Sequence, residues 1–300
     1  MIKKTDTILI TGCGGMLGEA VYHYFKNIGK VYATDIDVNE KWLSYLDVKS
    51  EKAVRDLCNK IKPNYIIHLA AFTDLEYCEM HPNETYETNT WGVYNVFLQA
   101  VKADIPLLYV STAGIFDGKK DFYDENDTPR PLSIYGKSKY LSELIVRSFP
   151  KSVIVRAGWM VGGGPKKDKK FVNKIMKQLS SGKKELVVVD DKSGTPCYTY
   201  DFAKVMFHLL NNGFYGLYHG VCEGGGSRLD VAKLIVETLK LEKKVKIKIV
   251  GSDYFQSDYF APRPASEKLI NSKLAEMKIF LTRDWRDCLR EYLAKFDWGL

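Results

Sequence analysis

Tyr135 and Lys139 stand four residues apart and could together carry acid–base chemistry. Positions four apart share one face of a helix, so a phenol and an ammonium group at this spacing would lie side by side. The positive charge favours the phenolate, and we expect it to lower the tyrosine pKa from about 10. The same spacing recurs in three other pairs, Tyr22/Lys26, Tyr45/Lys49 and Tyr200/Lys204. The spacing alone therefore does not indicate catalysis.

Ser111 and Thr112 place hydroxyl groups at the end of a predicted strand, upstream of Tyr135 and Lys139. The apolar run that begins at Leu107 predicts this strand, and ligands bind at the carboxyl ends of strands in parallel sheets. Among the four pairs, only Tyr135/Lys139 follows a strand-end hydroxyl at a workable distance. This arrangement singles out the pair as the candidate catalytic site.

A glycine-rich turn follows the first predicted strand and opens the first predicted helix. Glycines let the backbone turn sharply and approach a pyrophosphate, while the helix N-terminus offers free N–H groups. The strand–turn–helix context predicts dinucleotide binding, and a tight turn without a ligand is the alternative. The predicted cofactor-binding residues of the turn are Gly12, Gly15, Met16, Leu17 and Gly18.

Asp35 ends the second predicted strand, 23 residues after Gly12. A carboxylate at this position can accept hydrogen bonds from the adenosine ribose hydroxyls and would repel a 2′-phosphate. We therefore expect NAD(H) to be favoured, with NADP(H) as the alternative because Lys41 could offset some of the negative charge. An exposed strand-end acid without a ligand is the competing interpretation.

The elements that must position these residues alternate between β-rich runs and helical stretches. This alternation predicts an α/β fold, a Rossmann-type doubly wound parallel sheet covered by helices on both faces. The predicted strands cover residues 7–11, 31–35, 65–70, 107–112 and 153–157, and the predicted helices cover 17–27, 50–61, 84–103 and 133–149.

Beyond residue 158 the alternation loosens. We predict a Rossmann domain at residues 1–158 and a smaller α/β substrate-binding lobe at residues 159–300, with a soft boundary because strands could pass between the lobes. Gly162–Pro165 predicts the start of a flexible basic loop. The predicted helices cover residues 171–181, 201–211, 229–241 and 285–296, and the predicted strands 186–190, 217–221 and 245–250.

Bulk composition restricts the function classes. The 300 residues, 45% of them hydrophobic and 27% charged, are typical of a globular protein with a large core. The formal net charge of +7 indicates a mildly basic surface or an anionic nucleotide ligand, whereas no basic helix or aromatic–basic platform indicates nucleic acid. Neither the six cysteines nor the scattered histidines form a predicted metal site, and no apolar run predicts a membrane span. We expect a cytoplasmic protein with reduced cysteines.

Several runs across nearly the whole chain make it resemble the extended short-chain dehydrogenase/reductase superfamily, and within it the dTDP-4-dehydrorhamnose reductase group. The matching residues and runs are His68–Thr73, Asn89, Ser111–Gly118, Tyr123–Asp127, Pro131–Lys139, Val155–Trp159, Gly194–Pro196 and Arg263–Pro264. Taken together, they are far more specific than any single motif.

The resemblance implies roles for individual residues. Thr112 would bind the substrate carbonyl, Tyr135 would protonate its oxygen, and Lys139 would hold the nicotinamide ribose and lower the tyrosine pKa. The implied cofactor contacts further include Ala70 and Ala71, which would let the chain approach the cofactor, and Asp47 near the adenine. Thr73 and Asn89 would line or brace the site, Trp159 would pack on the sugar, and Arg263 would bind the diphosphate. A core role for Trp159, a purely structural Asn89 and a surface salt bridge for Arg263 are the alternatives.

The chain departs from the group at one place. The reductases usually carry Ser-Thr-Asp-Tyr-Val-Phe-Asp-Gly, whereas Ala113 and Gly114 here replace the Asp-Tyr pair. A carboxylate and a phenol are thereby missing near the substrate, which leaves the identity of the sugar open. Alanine and glycine also cannot perform the acid–base steps of a 4,6-dehydratase.

The predicted function is NAD(P)H-dependent reduction of a nucleotide-activated 4-keto-6-deoxy sugar. An NAD-dependent epimerase of the same superfamily and a non-catalytic regulatory subunit with the reductase fold are the alternatives. We expect a homodimer, because the long amphipathic helices at residues 84–103 and 133–149 could pair two subunits. We also expect the protein to bind a nucleotide-sugar substrate, and we expect it to bind neither nucleic acid nor a membrane.

Overall fold

Apolar runs such as Ile8–Ile10 form fully buried strands in the computed structural model, which describes residues 1–300. The strands are β1 (Thr7–Thr11), β2 (Lys30–Asp35), β3 (Leu43–Tyr45), β4 (Tyr65–His68), β5 (Leu107–Thr112), β6 (Phe122–Tyr123), β7 (Ser152–Ala157), β8 (Trp159–Val161), β9 (Glu185–Val189), β10 (Ser193–Gly194), β11 (Pro196–Tyr198), β12 (Gly216–His219), β13 (Gly226–Ser227), β14 (Lys246–Val250) and β15 (Ser266–Leu269). The α-helices are α1 (Met16–Phe25), α2 (Glu51–Ile61), α3 (Leu75–Met80), α4 (Pro82–Tyr86), α5 (Gly92–Ala103), α6 (Ile134–Arg147), α7 (Gly164–Lys167), α8 (Phe171–Ser180), α9 (Thr199–Asn212), α10 (Arg228–Thr238), α11 (Ser272–Glu276) and α12 (Trp285–Lys295).

Seven strands form the central sheet in the order β12-β7-β5-β4-β1-β2-β3, and every neighbouring pair is parallel. Helices α1 and α9 bury their apolar residues against one face, while α2, α5 and α6 cover the other. The predicted doubly wound α/β sheet is thus confirmed. The strand order reverses between β1 and β4, and a crevice forms at their carboxyl ends.

The second half of the chain builds a smaller sheet, ordered β13-β10-β15-β6, and the parallel strand pairs β11-β8 and β14-β9. A separate apolar core joins α8, α10 and α12. Segments cross between the two halves of the chain. Strand β6, from the first half, forms an edge of the smaller sheet, whereas β12 and α9, from the second half, join and cover the central sheet. No helix is both long enough and apolar enough to cross a membrane.

Two predicted segments differ from the structure. The predicted helix at residues 84–103 is interrupted by a π-helical turn at Glu87–Trp91, between α4 and α5. The predicted flexible loop is packed, since Gly162, Gly163 and Gly164 have positive φ angles and lie against Thr199, Met16 and Phe296 respectively. Glycine is required there because a side chain would meet both steric strain and a neighbouring residue.

Candidate active site

A cleft of about 1580 Å³ lies between the two halves, at the carboxyl ends of the central strands. The predicted site residues that line it are Gly12, Gly15, Met16, Leu17, Gly18, Asp35, Asp47, Ala70, Ala71, Thr73, Thr112, Tyr135, Lys139, Trp159 and Arg263. Residues from opposite ends of the sequence thus converge because parallel strands end at the same edge of the sheet.

The glycine-rich turn is tightly packed on one side and open on the other. Gly12 has a φ of 70°, and a side chain there would collide with the backbone of Ala70 at the end of the neighbouring strand. A side chain at Gly18 would collide with the backbone of Cys13. At Gly15, by contrast, an added Cβ would meet nothing closer than 3.9 Å. The open side is where a ligand could approach the backbone.

Helix α1 leaves its first amide groups available. Gly15 precedes the helix and provides no side chain to cap it. Uncapped N–H groups at a helix N-terminus form a site for a phosphate group. The close approach at Gly12 and Gly18, together with the open amides, therefore fits the pyrophosphate of a dinucleotide.

Asp35 is fixed at the end of β2 by two backbone amides. Its carboxylate accepts a hydrogen bond from the Gly14 amide at 2.8 Å and another from the Asp37 amide at 2.9 Å. A carboxylate has about four acceptor positions, so it can still receive ribose hydroxyls. Asp47 lies beyond β3 on the same rim, where it accepts from the Lys49 amide at 2.9 Å.

Helix α6 carries the candidate catalytic pair. Ser133 begins the helix by accepting a hydrogen bond from the Gly136 amide at 3.0 Å, which aligns the first turn. Lys139 is buried, and its ammonium donates to the Val110 carbonyl at 2.7 Å and lies 4.2 Å from the centre of the Tyr109 ring. Thr112, at the end of β5, accepts from the Gly114 amide at 3.1 Å, so its own hydroxyl hydrogen can be donated to Tyr135 or to a ligand.

The pKa values of the pair shift in the opposite direction to the sequence prediction. Burial raises the pKa of Tyr135 to about 12, although the neighbouring Thr112 hydroxyl offsets part of the rise. Burial lowers the pKa of Lys139 to about 7, against the smaller opposing effect of the Glu143 charge. Loss of hydration disfavours the charged form of both groups and is the largest cause of each shift. Tyr135 is therefore a protonated phenol at neutral pH.

Asn89 joins two segments of the site through its side-chain amide. Its side-chain oxygen accepts from the Phe72 amide at 2.7 Å, while its amide nitrogen donates to the Phe72 carbonyl at 3.0 Å and to the Ser138 hydroxyl at 3.1 Å. Asn89 thus ties the segment after β4 to helix α6, and the π-helical turn presents it in that position. The structure gives Asn89 the bracing function, which sequence reasoning could state only as one alternative.

The basic loop at residues 166–170 folds onto the first half of the chain. Lys167 is buried and lies 3.1 Å from the Glu40 carboxylate. Lys170 donates to the carbonyl and the hydroxyl of Thr73 at 2.9 and 3.2 Å. The basic loop therefore makes a set of contacts that covers one side of the cleft.

Trp159 lies between Gly194 and the Arg228 guanidinium, which sits 3.6 Å from the centre of an indole ring. The indole nitrogen donates to Glu267 at 2.7 Å. Arg228 therefore already packs on an indole face of Trp159, the residue for which the resemblance implied packing on the sugar. Arg228 and Glu267 were missed by sequence reasoning, since neither belongs to a recognisable motif.

Arg263 is already paired. Its guanidinium makes two hydrogen bonds to the Glu76 carboxylate, at 2.6 and 2.8 Å, and a third to the Ala261 carbonyl at 3.0 Å. This bidentate pair is the salt bridge that the sequence left open as the alternative to diphosphate binding. It links the segment before β15 to helix α3 and so holds the two halves of the cleft together.

One cluster of potential metal ligands lies outside the cleft. The ligand atoms of Asp201, Cys222 and Cys288 lie within 4.8 Å of one another, and all three residues are buried. The Arg283 guanidinium donates to both carboxylate oxygens of Asp201, at 2.8 and 3.0 Å. An ion pair therefore already neutralises the Asp201 carboxylate.

Comparison with known proteins places these features in a family context. The family model described as the RmlD substrate binding domain matches residues 6–298. The spore coat polysaccharide biosynthesis protein SpsK of Bacillus subtilis is 33% identical, over 96% of this chain and 97% of its own length. The dTDP-4-dehydrorhamnose reductase of Aggregatibacter actinomycetemcomitans is 31% identical, over 96% and 98%.

A solved structure agrees with these sequence matches. The dTDP-4-dehydrorhamnose reductase of Bacillus anthracis in complex with NADP is 28% identical and superposes with a TM-score of 0.87. The match covers 97% of this chain and 100% of that one.

Proposed function

The chain belongs to the RmlD substrate binding domain family, and on that premise we propose that it reduces a nucleotide-activated 4-keto-6-deoxy sugar, dTDP-4-dehydrorhamnose in the first instance, with a nicotinamide dinucleotide. The observation that carries the proposal is the convergence of two sites in one cleft. A dinucleotide turn at Gly12–Gly18 and a hydroxyl–phenol–ammonium set at Thr112, Tyr135 and Lys139 line the same space.

Thr112 and Tyr135 would act on the carbonyl oxygen. The Thr112 hydroxyl, which already accepts from the Gly114 amide, donates to that oxygen and orients it. Tyr135 keeps its proton at neutral pH because burial raises its pKa to about 12, and it transfers this proton to the oxygen as negative charge develops there. The dinucleotide, when bound, supplies the hydride to the carbonyl carbon.

Lys139 would bind the dinucleotide and support Tyr135. One of its ammonium hydrogens is committed to the Val110 carbonyl, which fixes the group beside the catalytic helix. The remaining hydrogens are available for ribose hydroxyls. After proton transfer, a positive Lys139 nearby also stabilises the tyrosinate.

We propose NAD(H) as the favoured dinucleotide, with NADP(H) as the alternative. Asp35 holds a negative charge on the rim where the adenosine ribose would lie, and two backbone amides keep its carboxylate there. Lys167, the buried lysine of the basic loop, already lies 3.1 Å from the Glu40 carboxylate. A 2′-phosphate would therefore meet an uncompensated carboxylate.

Two alternatives follow from the same fold. An epimerase would keep its dinucleotide bound and show no net oxidation of it. A regulatory subunit would need no catalytic groups, so the joint presence of Thr112, Tyr135 and Lys139 in the cleft favours an enzyme.

The test is a panel of nucleotide 4-keto-6-deoxy sugars assayed by loss of NADH or NADPH absorbance. Oxidation of the dinucleotide with one alcohol product supports the reductase. Interconversion of sugars without net oxidation would identify an epimerase. If no sugar is converted although the protein binds the dinucleotide, the result would favour the regulatory subunit.

We also propose a homodimer and a cytoplasmic location, as expected from the sequence. The outer surfaces of α5 and α6 support the dimer, because Val101, Leu141 and Leu144 are 41–46% exposed there. These two helices share one face of the central sheet and could pair with the same helices of a second copy.

A further inference from the structure

Gly114 marks a point where three functional groups converge. A Cβ added at Gly114 would lie 3.5 Å from Oε1 of Glu267, 3.5 Å from Oγ1 of Thr112 and 3.6 Å from a ring carbon of Tyr135. Gly114 has no positive φ angle, so the backbone does not require a glycine. An added Cβ would make ordinary van der Waals contact with all three groups, so only a side chain larger than alanine would compete with the Glu267 carboxylate for this space.

Glu267 reaches this point from the other half of the chain. It lies on β15, which pairs in parallel with β10 and β6 of the smaller sheet. Oε2 accepts the hydrogen bond from the Trp159 indole at 2.7 Å, whereas Oε1 accepts none from the protein. One oxygen is therefore anchored, and the other faces the space next to Thr112 and Tyr135.

The Glu267 carboxylate bears on the interpretation of the sequence departure at Ala113 and Gly114. The sequence departure suggested that a carboxylate was missing near the substrate. The structure supplies one from a residue more than 150 positions away. Its charge also adds to the effect of burial in raising the pKa of Tyr135, which helps to keep the proton on the phenol.

We propose that Glu267 is a specificity-determining residue whose Oε1 accepts a hydrogen bond from the sugar hydroxyl adjacent to the reduced carbonyl. The inference rests on the proposed reductase function. In a 4-keto-6-deoxy sugar, C3 carries a hydroxyl and C5 carries the methyl group, so C3 offers the only hydroxyl next to the carbonyl. A carboxylate beside the groups that bind the carbonyl oxygen is within reach of that hydroxyl.

The experiment compares dTDP-4-dehydrorhamnose with the same nucleotide sugar lacking the 3-hydroxyl. In the native protein, loss of a hydrogen bond to a charged acceptor should reduce kcat/KM by about 10- to 100-fold. Glu267→Ala should show a similar loss on the natural sugar and no further loss on the deoxy sugar. Glu267→Gln should also lose the discrimination, because its amide can still accept from Trp159 while presenting a donor to the sugar.

Glu276→Gln, an exposed carboxylate on α11 that does not line the cleft, is the matched control. It should discriminate between the two sugars as the native protein does. Dinucleotide titration by fluorescence shows that each variant is folded.

Two outcomes would overturn the inference and are distinguishable. If both Glu267 variants still discriminate against the deoxy sugar like the native protein, Glu267 only supports Trp159. If the native protein reduces neither sugar, the proposed function fails, and the inference fails with it.

Discussion

Tyr135, Lys139 and Thr112 acquire their reactivity from their neighbours. Burial keeps the proton on Tyr135 and brings the pKa of Lys139 to about 7. The Gly114 amide occupies an acceptor position of Thr112 and leaves the hydroxyl free to donate. At the scale of single residues, each of these side chains has one proposed chemical role, which a single substitution can remove.

Replacing Tyr135 by phenylalanine removes the proton donor and nothing else. We expect kcat to fall by at least about 100-fold, while the dissociation constant for the dinucleotide stays within roughly threefold. Tyr140→Phe, in the same helix, is the matched control and should remain active. Full activity in Tyr135→Phe would rule out its catalytic role.

Replacing Asp35 by asparagine removes a negative charge and retains most of the shape. We expect the ratio of kcat/KM for NADH to that for NADPH to fall by about tenfold, because the repulsion of the 2′-phosphate is lost. Asp56→Asn removes an exposed charge on α2 outside the cleft and should leave the ratio unchanged. An unchanged ratio in Asp35→Asn would remove Asp35 from cofactor selection.

The pH dependence should reflect Lys139. Its pKa of about 7 lies below the ordinary lysine value, so the ammonium is present below pH 7 and is lost as the pH rises. We expect kcat/KM for the dinucleotide, which reports the free enzyme, to decline above about pH 7. Tyr135 cannot cause this decline, because its pKa is about 12.

Lys139→Arg tests this assignment, since a guanidinium keeps its charge throughout the range. The decline should be absent in that variant, even if its activity is lower. A native profile that is flat from pH 6 to 9 would contradict the assignment.

Helix α6 connects the catalytic groups to the sheet. Tyr135, Lys139 and Glu143 repeat every four residues and share one face. Glu143 is fully buried, and both of its oxygens accept from Arg156 on β7, at 2.8 and 2.9 Å. The ion pair therefore anchors the helix two turns beyond the phenol and fixes the orientation of the catalytic face.

Breaking this pair should destabilise the protein strongly. Glu143→Leu leaves the buried Arg156 charge without a partner, and we expect the free energy of unfolding to fall by about 3–5 kcal/mol. Glu51→Leu, which breaks an exposed pair with Arg55 on α2, should cost less than about 1 kcal/mol. Urea unfolding measures the free energy of unfolding of both variants. Equal losses would show that burial does not determine how much an ion pair contributes to stability.

At the scale of the whole molecule, the two halves of the chain together form the cleft, and each contributes part of its lining. The central sheet and its helices carry the proposed dinucleotide turn and the proposed catalytic residues, and the smaller sheet carries Glu267. Contacts such as the Arg263–Glu76 pair join the two sides. The outer faces of α5 and α6 carry exposed apolar residues, which is where the proposed dimer would bury further surface.

A charge on this surface should separate the proposed dimer. Leu144→Glu places a carboxylate at a residue that is 46% exposed on α6, and we expect a monomer by light scattering after size-exclusion chromatography. Phe280→Glu changes a residue that is 77% exposed elsewhere and should leave the mass unchanged. A monomeric native protein, or an unchanged dimer in Leu144→Glu, would contradict the proposed interface.

The sequence by itself determined the features that depend on neighbouring residues. The alternation of strands and helices, the turn at Gly12–Gly18 and the Tyr135/Lys139 spacing are local patterns, and the structure places them where parallel-sheet geometry requires. The π-helical turn at Glu87–Trp91 was not predicted, and the bonds of its residue Asn89 to Phe72 and Ser138 join segments that are distant in the sequence.

Only the tertiary structure decided how distant side chains meet. The pKa directions of Tyr135 and Lys139 follow from burial, which no spacing along the chain reveals. Arg263 is paired because Glu76, from the other half, lies opposite its guanidinium. Glu267 lies beside Thr112 and Tyr135 because β15, in the smaller sheet, brings its carboxylate next to Gly114. Solvation and long-range packing set these properties, and both exist only once the chain has folded.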